Sequence, residues 1–482
     1  MVYFCSMRPK ISLFIVLLLA CSAVKAQKKW NLKECIDYAM ANNISVKQTD
    51  LQTKLSELQY KQSKLGQYPN VSFSGGPAYN SGRNQDPTSF SLITQSYISA
   101  NLQLQSSAEI FNWYSKKNTI AANQWELMAA KANTDKLKND IALTVANSYL
   151  QILLAKEQEK IAGVQLQQSQ SQLNNTRKLV DAGALPELNA SELEAQVARD
   201  SATFISARGN VVQNILSLKS YMSIDAAAAF EIDTPPAELI PVEKISDLQP
   251  ETVYASAMAN MPQQRVNDFK LKAVKKSSAA AKGGMYPTIS VYGSLGSGFN
   301  SRAKEITSTS LVTGPFGKVT VSGVTYDVFP YVPFSDYNYD KTPLFRQLNQ
   351  NFRQSVGLSL NVPIFNGGSL RTAYERSKIN IRNQELQKEL DDQKIKQDIY
   401  QAYNAAMIAM EKFNAGKKSL QTAERSFSFA QKRYDVGMLS TLDLITNQNN
   451  LFRAKLENAL NQFDYVFKMK VLEFYKGQGL KL

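Results

Sequence analysis

The sequence contains no histidine among its 482 residues. Without an imidazole, the chain cannot form a Ser-His-Asp or Cys-His nucleophile, a histidine proton shuttle or a histidine metal site. Its three cysteines, Cys5, Cys21 and Cys35, are too few for a four-thiolate zinc site. We therefore expect no enzyme activity, no cofactor and no bound metal, and we expect Cys35 to be a lone thiol packed on a helix.

Long apolar runs are also lacking, except near the N terminus. Two basic residues precede apolar residues 11–20, and the small residues Val24 and Ala26 suit a signal peptidase, which predicts an export signal over residues 1–26. Cys21 follows Leu-Leu-Ala, which loosely resembles a lipoprotein cleavage site, although the second leucine is bulkier than such a site prefers. No later run approaches the length of about 18 apolar residues that a membrane-spanning helix needs. We expect a periplasmic protein, a secreted protein or an outer-membrane barrel.

Basic residues outnumber acidic ones, with 55 lysines and arginines against 41 aspartates and glutamates. Such a balance would suit nucleic acid, but the charges are scattered and form no basic block. A solvated surface is the better interpretation, and we expect no nucleic-acid partner.

The sequence carries an internal duplication. Short segments recur at two constant offsets, 218 residues in the first part of each copy and 254 residues in the remainder. The recurring pairs are Ala39–Asn42 with Ala257–Asn260, Tyr68-Pro69 with Tyr286-Pro287, Ile110–Asn112 with Ile364–Asn366, and Asp181–Gly183 with Asp435–Gly437. Because each offset holds over separate segments, the two copies keep the same order of elements, and one lengthened connection accounts for the change of offset.

Each copy has the same predicted elements: a helical stretch, a β-hairpin, a very long helix without proline, a turn containing glycine and a returning helix. The predicted helices are 32–66, 112–180 and 186–221 in the first copy and 250–283, 368–434 and 441–475 in the second. At about 1.5 Å per residue, the long helices would measure about 100 Å. Helices of this length do not fit a compact domain, so we expect an extended coiled-coil-like assembly. Pro186 suits a first helical turn and Ser440 a helix cap.

The predicted hairpins have one apolar and one polar face, joined by connections at 77–94 and 296–351 that we expect to be loops. Alternation alone leaves open whether the apolar face meets lipid or a protein core. Four aromatic residues near strand ends could form an interfacial girdle or pack within loops: Phe73, Tyr79, Tyr286 and Tyr292.

The order of these features resembles that of a known family. The Trp30–Ala39 opening, the repeated Tyr-Pro before a strand, the Pro363–Gly368 run and the Val436-Gly437 tip are together similar to TolC-like outer-membrane efflux proteins. The similarity covers almost the whole mature chain. It implies a protein of the cell outer membrane that extends into the periplasm.

The resemblance also implies a mainly α fold with a small β part. Three chains would join their long helical hairpins into a trimeric α-barrel, and four strands from each would contribute to one 12-stranded transmembrane β-barrel. The implied function is a passive conduit, the outer-membrane channel of a tripartite efflux or type I secretion system. Its expected partners are two further copies of the chain, a periplasmic adaptor (membrane fusion) protein, an inner-membrane transporter and outer-membrane lipid.

We divide the chain accordingly. Residues 1–26 are the signal peptide, 27–225 the first structural repeat, 226–250 a linker or equatorial segment, 251–476 the second repeat and 477–482 a C-terminal tail.

By the same resemblance, the tunnel closes at its periplasmic end. Acidic residues six and nine positions after the second tip glycine would face the axis there, and this chain has Asp443 and Thr446 at those positions. One acidic ring is therefore expected and the second is absent. Three carboxylates on one axis repel one another and favour cations. The alternative is that Asp443 only caps or solvates the first turn of its helix.

The family's closed state is held by a tyrosine and an ion pair near the tips. Tyr434 keeps the tyrosine, whereas Leu439 and Asn189 stand at the basic and acidic positions. An ionic latch of that form is therefore not available, and hydrogen bonding or packing must hold the aperture closed.

The hairpin tips are expected to contact the adaptor. The tip residues are Gly183, Leu185, Gly437, Leu439 and Ser440. Gly183 and Gly437 have a second explanation, since a helix end commonly needs a left-handed residue.

Other functions remain as alternatives. A secreted or periplasmic coiled-coil protein with a structural or adhesive role would also have long helices, and it would be water-soluble. Within the transport class, a channel for protein secretion and a channel for small-molecule efflux are both compatible with the sequence.

Overall fold

The computed structural model describes residues 29–86, 90–236 and 240–477. The predicted signal peptide, with Cys21, and most of the predicted C-terminal tail lie outside these residues. The helices are α1 (Leu32–Asn42), α2 (Ile44–Leu65), α3 (Ser115–Asp181), α4 (Glu187–Met222), α5 (Pro250–Asn260), α6 (Pro262–Gly283), α7 (Leu344–Gln350), α8 (Ser369–Asp435) and α9 (Thr441–Tyr475). The strands are β1 (Asn70–Gln85), β2 (Leu92–Phe111), β3 (Thr288–Asn300), β4 (Lys304–Val312), β5 (Gly317–Val321), β6 (Val324–Val328), β7 (Phe334–Lys341) and β8 (Arg353–Asn361). Within the described ranges, no helix is long and apolar enough to cross a membrane.

The predicted duplication and mainly helical fold are confirmed by the positions of the elements. Helices α1 and α5, helices α2 and α6, and strands β1 and β3 begin 218 residues apart. Helices α3 and α8 begin and end 254 residues apart, and α4 and α9 begin at that same offset. Residues of the matched helices therefore have defined counterparts in the other copy, whereas the lengthened connection between β3 and β8 contains residues that have none.

The helical stretch before each hairpin is interrupted once, so the predicted continuous helices are wrong at one point each. Asn43 leaves the helical conformation with ψ at 131°, and its side-chain oxygen accepts a hydrogen bond from the backbone of Ser45 at 2.8 Å. In the second copy, Met261 adopts ψ 133° because Pro262 follows it, and a residue before proline is pushed out of the helical region. Two consecutive helices therefore replace the single helix predicted before each hairpin, α1 and α2 in the first copy and α5 and α6 in the second.

The chain divides into two compact units. The first comprises the described residues up to Leu58, Gln124–Ala273 and the described residues from Ile381 onward, and the second comprises Gln59–Asn123 and Val274–Asn380.

The first unit contains two cores built from equivalent positions of the two copies. Apolar residues of the short, long and returning helices of one copy meet in each, and the first core also takes Phe463 and Val466 from α9. The first core includes Cys35, Val145, Ile152 and Leu218, and the second includes their counterparts Val253, Ile399, Ala406 and Leu472. All eight side chains are fully buried, so each copy buries the same helix faces.

The segment between the copies contributes to both cores. Ile232 and Ile240 belong to the first core and Leu248 to the second. The Tyr149 hydroxyl donates a hydrogen bond of 2.6 Å to the backbone oxygen of Asp233. Burying each aliphatic side chain stabilises the fold by about 1.5–3 kcal/mol, so this segment is held by packing on both copies.

Cys35 is the free buried cysteine of the first core. Burial, aided by the negative charge of Glu34, raises the pKa of its thiol from 9.0 to about 12. The protonated thiol therefore contributes stability that is complete below about pH 9 and is lost as the pH rises towards 12. At pH 8, we expect maleimide to label Cys35 at least about a thousandfold more slowly in the native protein than in urea. Mass spectrometry of the labelled peptide measures this, and fast native labelling would contradict the buried position.

The second unit contains a four-stranded antiparallel sheet in the order β1-β2-β3-β8. The predicted four strands per chain are therefore present in one sheet. Its register places apolar residues opposite one another, as at Phe73 and Leu104, or Val291 and Leu358. The opposite face carries serine and glutamine, as at Ser72 and Gln105. Both faces are open to solvent in the single chain.

The aromatic residues near the strand ends do not share one face. Phe73 and Tyr79 lie on the apolar face and are exposed. Tyr292 lies on the polar face, where its ring covers Gly357 of the neighbouring strand. Tyr286 packs on Trp113, with ring centroids 5.0 Å apart.

The two connections predicted as loops are more ordered than expected. Strands β1 and β2 pair as far as Gln85 and Leu92, so most of 77–94 is sheet. The connection at 296–351 holds the pairs β4–β7 and β5–β6 and helix α7. Alternating threonine, valine and tyrosine residues such as Thr325 and Tyr326 favour strands, whereas the glycine and proline of this segment suggested a loop.

Candidate functional site

The two helix tips have the same backbone construction. At the end of α3, the amides of Gly183 and Ala184 donate to the oxygens of Val180 and Leu179 at 2.8 Å each. At the end of α8, Gly437 and Met438 make the equivalent bonds to Tyr434 and Arg433. This pair of bonds defines the Schellman motif, which needs a left-handed residue.

Gly183 and Gly437 supply that residue, with φ at +73° and +74°. A Cβ atom at either glycine would meet no neighbouring atom, so the need for glycine is conformational. Pro186, which we expected in the first turn of α4, instead precedes it as the N-cap residue. Leu185 and Leu439 are half-buried beside the turns.

Asp443 lies exposed in the first turn of α9. The Ser440 side chain caps this helix by accepting a hydrogen bond from the Asp443 amide at 3.1 Å, as predicted. The Ser440 hydroxyl in turn donates to the Asp443 carboxylate at 2.7 Å. The carboxylate therefore stabilises the helix start, and its remaining oxygen faces water.

Thr446 lies one turn after Asp443 on the same face of α9 and is exposed. Its hydroxyl donates to the backbone oxygen of Leu442 at 2.8 Å. The side chain therefore adds no charge to that face. Asn189, in the first turn of α4, is half-buried, and its backbone amide donates to Pro186 at 3.1 Å.

Tyr434, near the end of α8, contacts residues of both helical hairpins within the chain. Its hydroxyl lies 3.1 Å from the hydroxyl oxygen of Thr176 on α3 and 3.4 Å from that of Thr441 on α9. Both threonines are almost fully buried. Tyr434 therefore makes a hydrogen-bonded contact between the two helical hairpins.

Comparison with known proteins identifies the family. The sequence profile of the family described as "Outer membrane efflux protein" matches residues 35–223 and 253–467. The chain belongs to this family. It is an outer-membrane efflux channel, and the resemblance seen in the sequence is confirmed.

The relatives of this efflux protein have low sequence identity to it, but the matches cover most of the chain. The outer membrane efflux protein BepC of Brucella suis is 19% identical over 391 residues, which cover 81% of this chain and 73% of BepC. The toluene efflux pump outer membrane protein TtgC of Pseudomonas putida is 22% identical over 431 residues, 88% of this chain and 78% of TtgC.

Solved structures share the fold of the efflux protein. A crystal structure of CusC has a TM-score of 0.74 at 15% identity, covering 95% of this chain and 96% of CusC. The open-state MtrE outer membrane channel of Neisseria gonorrhoeae has a TM-score of 0.70 at 19% identity, covering 93% of this chain and 89% of MtrE.

Several tip residues of the efflux protein were not recognised in the sequence. Thr176 and Thr441 lie in polar helical segments, and only the fold shows that they meet Tyr434. The tips also expose large apolar side chains: Leu188, Val436, Met438 and Leu442. Their position beside the tip turns was the available signal, since large apolar residues are unusual in exposed turns. In the part of the chain that the structure describes, no group of three or more acidic or thiol side chains could hold a metal ion.

Proposed function

We propose that three copies of this efflux channel form a passive conduit, with no catalytic step, from the periplasm to the exterior. Four strands from each copy close one transmembrane barrel, and the helical hairpins form a tunnel with its aperture at the helix tips. A periplasmic adaptor binds the tips and connects the conduit to an inner-membrane transporter.

The four-stranded sheet is the observation that carries this proposal. Its outer strands β1 and β8 have no further strand partner among the described residues. One face is apolar and exposed, with Phe73 and Leu358 about 70% accessible. In lipid, unpaired backbone groups cost several kcal/mol each, so such a sheet must be completed by other strands. Because the strands alternate in direction, β8 of one copy and β1 of the next would also pair antiparallel.

The internal duplication supports contact between the helices of neighbouring chains. Within one chain, Trp125 of α3 stacks on Phe269 of α6 with ring centroids 5.6 Å apart, and Ala132 and Ala273 are buried. Their counterparts are Ile379 and Leu386 on α8 and Leu51 and Leu55 on α2, all of which are exposed. The faces of α3 and α6 that pack together within the chain thus have counterparts on α8 and α2, and these counterparts are apolar and exposed. We propose that α2 of one copy packs on α8 of the next.

The tips support a protein partner. Val436 and Met438 are more than 65% accessible, and no described residue of the chain covers them. Gly183, Leu185, Gly437, Leu439 and Ser440 set the shape of the turns that present this surface. TtgC is named as part of an efflux pump, and we extend that kind of assembly to this chain.

Asp443 and Thr446 are the proposed lining of the aperture, with Tyr434 and Asn189 beside it. Three Asp443 carboxylates brought to one axis would attract cations, and Thr446 would leave the next level uncharged. The hydrogen bond to Ser440 holds the carboxylate in one position.

We expect Asp443→Asn to lower the cation preference of the conduit by roughly twofold or more, because the ring loses its charge. Reversal potentials in planar bilayers under a salt gradient measure the preference. Asp435→Asn is the matched control, since Asp435 ends the preceding helix and is also exposed. An unchanged reversal potential in Asp443→Asn, or an equal change in the control, would remove Asp443 from the aperture.

A further inference from the structure

A cavity of about 580 Å³ lies between the long helices of the two copies. Its walls come from α3, α8 and α9 and from Thr234–Pro236 of the segment between the copies. Along α3 it extends from Leu153 to Gln168, which is about 22 Å at about 1.5 Å per residue. Leu153 belongs to the first core, and Gln168 precedes Ser169, to which Gln448 of α9 donates at 3.1 Å. Packed residues therefore border the long cavity at both ends.

Apolar side chains from two helices form much of the cavity wall. They include Leu153, Ile161, Val164, Leu451, Phe452 and Phe463. The volume falls within the range of about 300–1,000 Å³ that is usual for small-molecule sites, which combine apolar walls with a few polar groups. A hydrocarbon chain is stabilised by leaving water for such a wall. The wall therefore fits a ligand with an apolar body.

Two buried polar atoms in the wall have no hydrogen-bond partner among the described residues. They are Nε2 of Gln165, whose side chain is only 5% exposed, and Oδ1 of Asn458. Both residues line the cavity, and an unmade buried hydrogen bond is costly. One atom needs an acceptor and the other needs a donor. An amide or a hydroxyl group in the cavity would supply both, since each can accept one hydrogen bond and donate another.

The cavity also has an excess of positive charge. Lys156, Lys160 and Lys455 line it, against Glu157 and Glu424. Lys160 pairs with Glu157 at 3.4 Å, whereas Lys156 and Lys455 form no ion pair with any described residue. Both of these lysines are half-buried. An anionic group on the ligand would complement their charge.

The duplicated fold does not itself require these polar groups. At the offset of 254 residues, the three lysines correspond to Met410, Asn414 and Ser201, none of which is charged. Asn458 corresponds to Phe204, which cannot accept a hydrogen bond. The same helices thus form in the other copy without the charges and without this amide, so a structural need does not explain them.

We propose that this cavity binds a single-chain anionic amphiphile of the N-acyl amino acid type. The acyl chain lies along the apolar wall, and the amide bonds to Gln165 and Asn458. The carboxylate lies at Lys156 and Lys455. The proposal goes beyond the conduit and does not depend on it, because binding involves no passage through the channel.

Photocrosslinking of the full chain tests the site. The probe is N-lauroyl glycine with a diazirine in its acyl chain, added below its critical micelle concentration to the protein in phosphatidylcholine nanodiscs. Digestion and mass spectrometry after irradiation identify the labelled peptides. We expect saturable labelling of residues 153–168 on α3 and 451–463 on α9. Labelling confined to the four-stranded sheet would overturn the proposal, since the probe would then lie in lipid. Absence of labelling would also overturn it, since water or another protein segment would then fill the cavity.

The charge requirement is tested first without any variant. N-lauroyl glycinamide lacks the carboxylate, and it should compete with the probe at least about tenfold more weakly than N-lauroyl glycine does. Equal competition by the two compounds would overturn the anionic site.

A double variant tests the two lysines directly. Lys156→Met with Lys455→Ser introduces the residues of the other copy, and it should raise the half-saturating probe concentration by about tenfold or more. Lys131→Met with Lys417→Ser is the matched control, because these lysines are exposed on α3 and α8 outside the cavity. Unchanged labelling in the first variant, or an equal loss in the control, would remove the lysines from the site.

The position of the amide is tested at Gln165. Gln165→Met keeps the length of the side chain and removes its donor. It should weaken competition by N-lauroyl glycine severalfold and leave competition by dodecanoate, which has no amide, no weaker than in the wild type. An equal loss for both compounds would contradict a hydrogen bond between Gln165 and the ligand amide.

Discussion

Replacing Leu51 with aspartate is expected to abolish assembly of the chain into trimers. Leu51 is 61% accessible in the single chain, and its counterpart Phe269 packs on Trp125 within the chain. If α2 packs on α8 of the next copy, the aspartate would be buried against the apolar side chains of Leu55, Ile379 and Leu386. Burying an unpaired carboxylate costs several kcal/mol, while the wild-type leucine gains about 1.5–3 kcal/mol on burial. The penalty applies at all three interfaces of a closed ring.

Light scattering of the detergent-solubilised protein measures this effect as a change from trimer to monomer. Gln52→Asp is the matched control, because it adds the same charge one residue along on an exposed part of α2 outside the apolar stripe. The control should remain trimeric. Trimers in Leu51→Asp, or monomers in both variants, would contradict packing of α2 on α8.

The duplication explains why much of the fold was predictable from the sequence. Constant offsets fix the order of elements twice, and each copy supports the assignment in the other. The glycines Gly183 and Gly437 mark both long-helix ends because the Schellman motif needs a left-handed residue there. Asn43 and Met261 were missed, because a single break in a helical segment leaves the apolar pattern on both sides unchanged.

The contacts among helices were less predictable than the helices. Ser169, Asp200 and Gln448 have the composition of a solvated helix face, yet they are buried together. Conversely, Leu51 and Leu55 have the spacing of core residues, yet they are exposed in the single chain. Periodicity identifies a helix face but does not say what covers it. That information came from comparing the two copies in three dimensions.

The contacts near the helix tips were likewise only partly predictable from the sequence. By the resemblance seen in the sequence, Leu439 and Asn189 stand where charged residues were expected, and the sequence alone predicted only that hydrogen bonds or packing would hold the aperture closed. The structure places Tyr434 against Thr176 and Thr441. A hydroxyl cluster can hold helix tips together without charges, and salt screens it less than an ion pair.

An arginine on the apolar face of the sheet is expected to prevent insertion into a bilayer, whereas an arginine on the opposite face is not. Leu358 lies near the middle of β8, opposite Val291, and is 72% accessible. If this face meets lipid, Leu358→Arg places a charge in hydrocarbon at a cost of about 2–4 kcal/mol near the bilayer centre. That cost lowers the equilibrium for insertion by about 30- to 700-fold in each copy. Three copies in one barrel would multiply the effect.

Ser359→Arg is the matched control, because Ser359 is the next residue of β8 and pairs with Ser290 on the polar face. Its side chain would enter a water-filled interior, where a charge changes ion selectivity more than stability. Folding into phosphatidylcholine vesicles, followed by protease protection, measures the inserted fraction of each variant. If the apolar face packed on a protein core instead, Leu358→Arg would bury a charge in that core. The variant would then misfold in water as well as in vesicles. Circular dichroism of the long helices α3 and α8 separates these outcomes: native helix content with failed insertion supports the lipid-facing sheet, and lost helix content or normal insertion contradicts it.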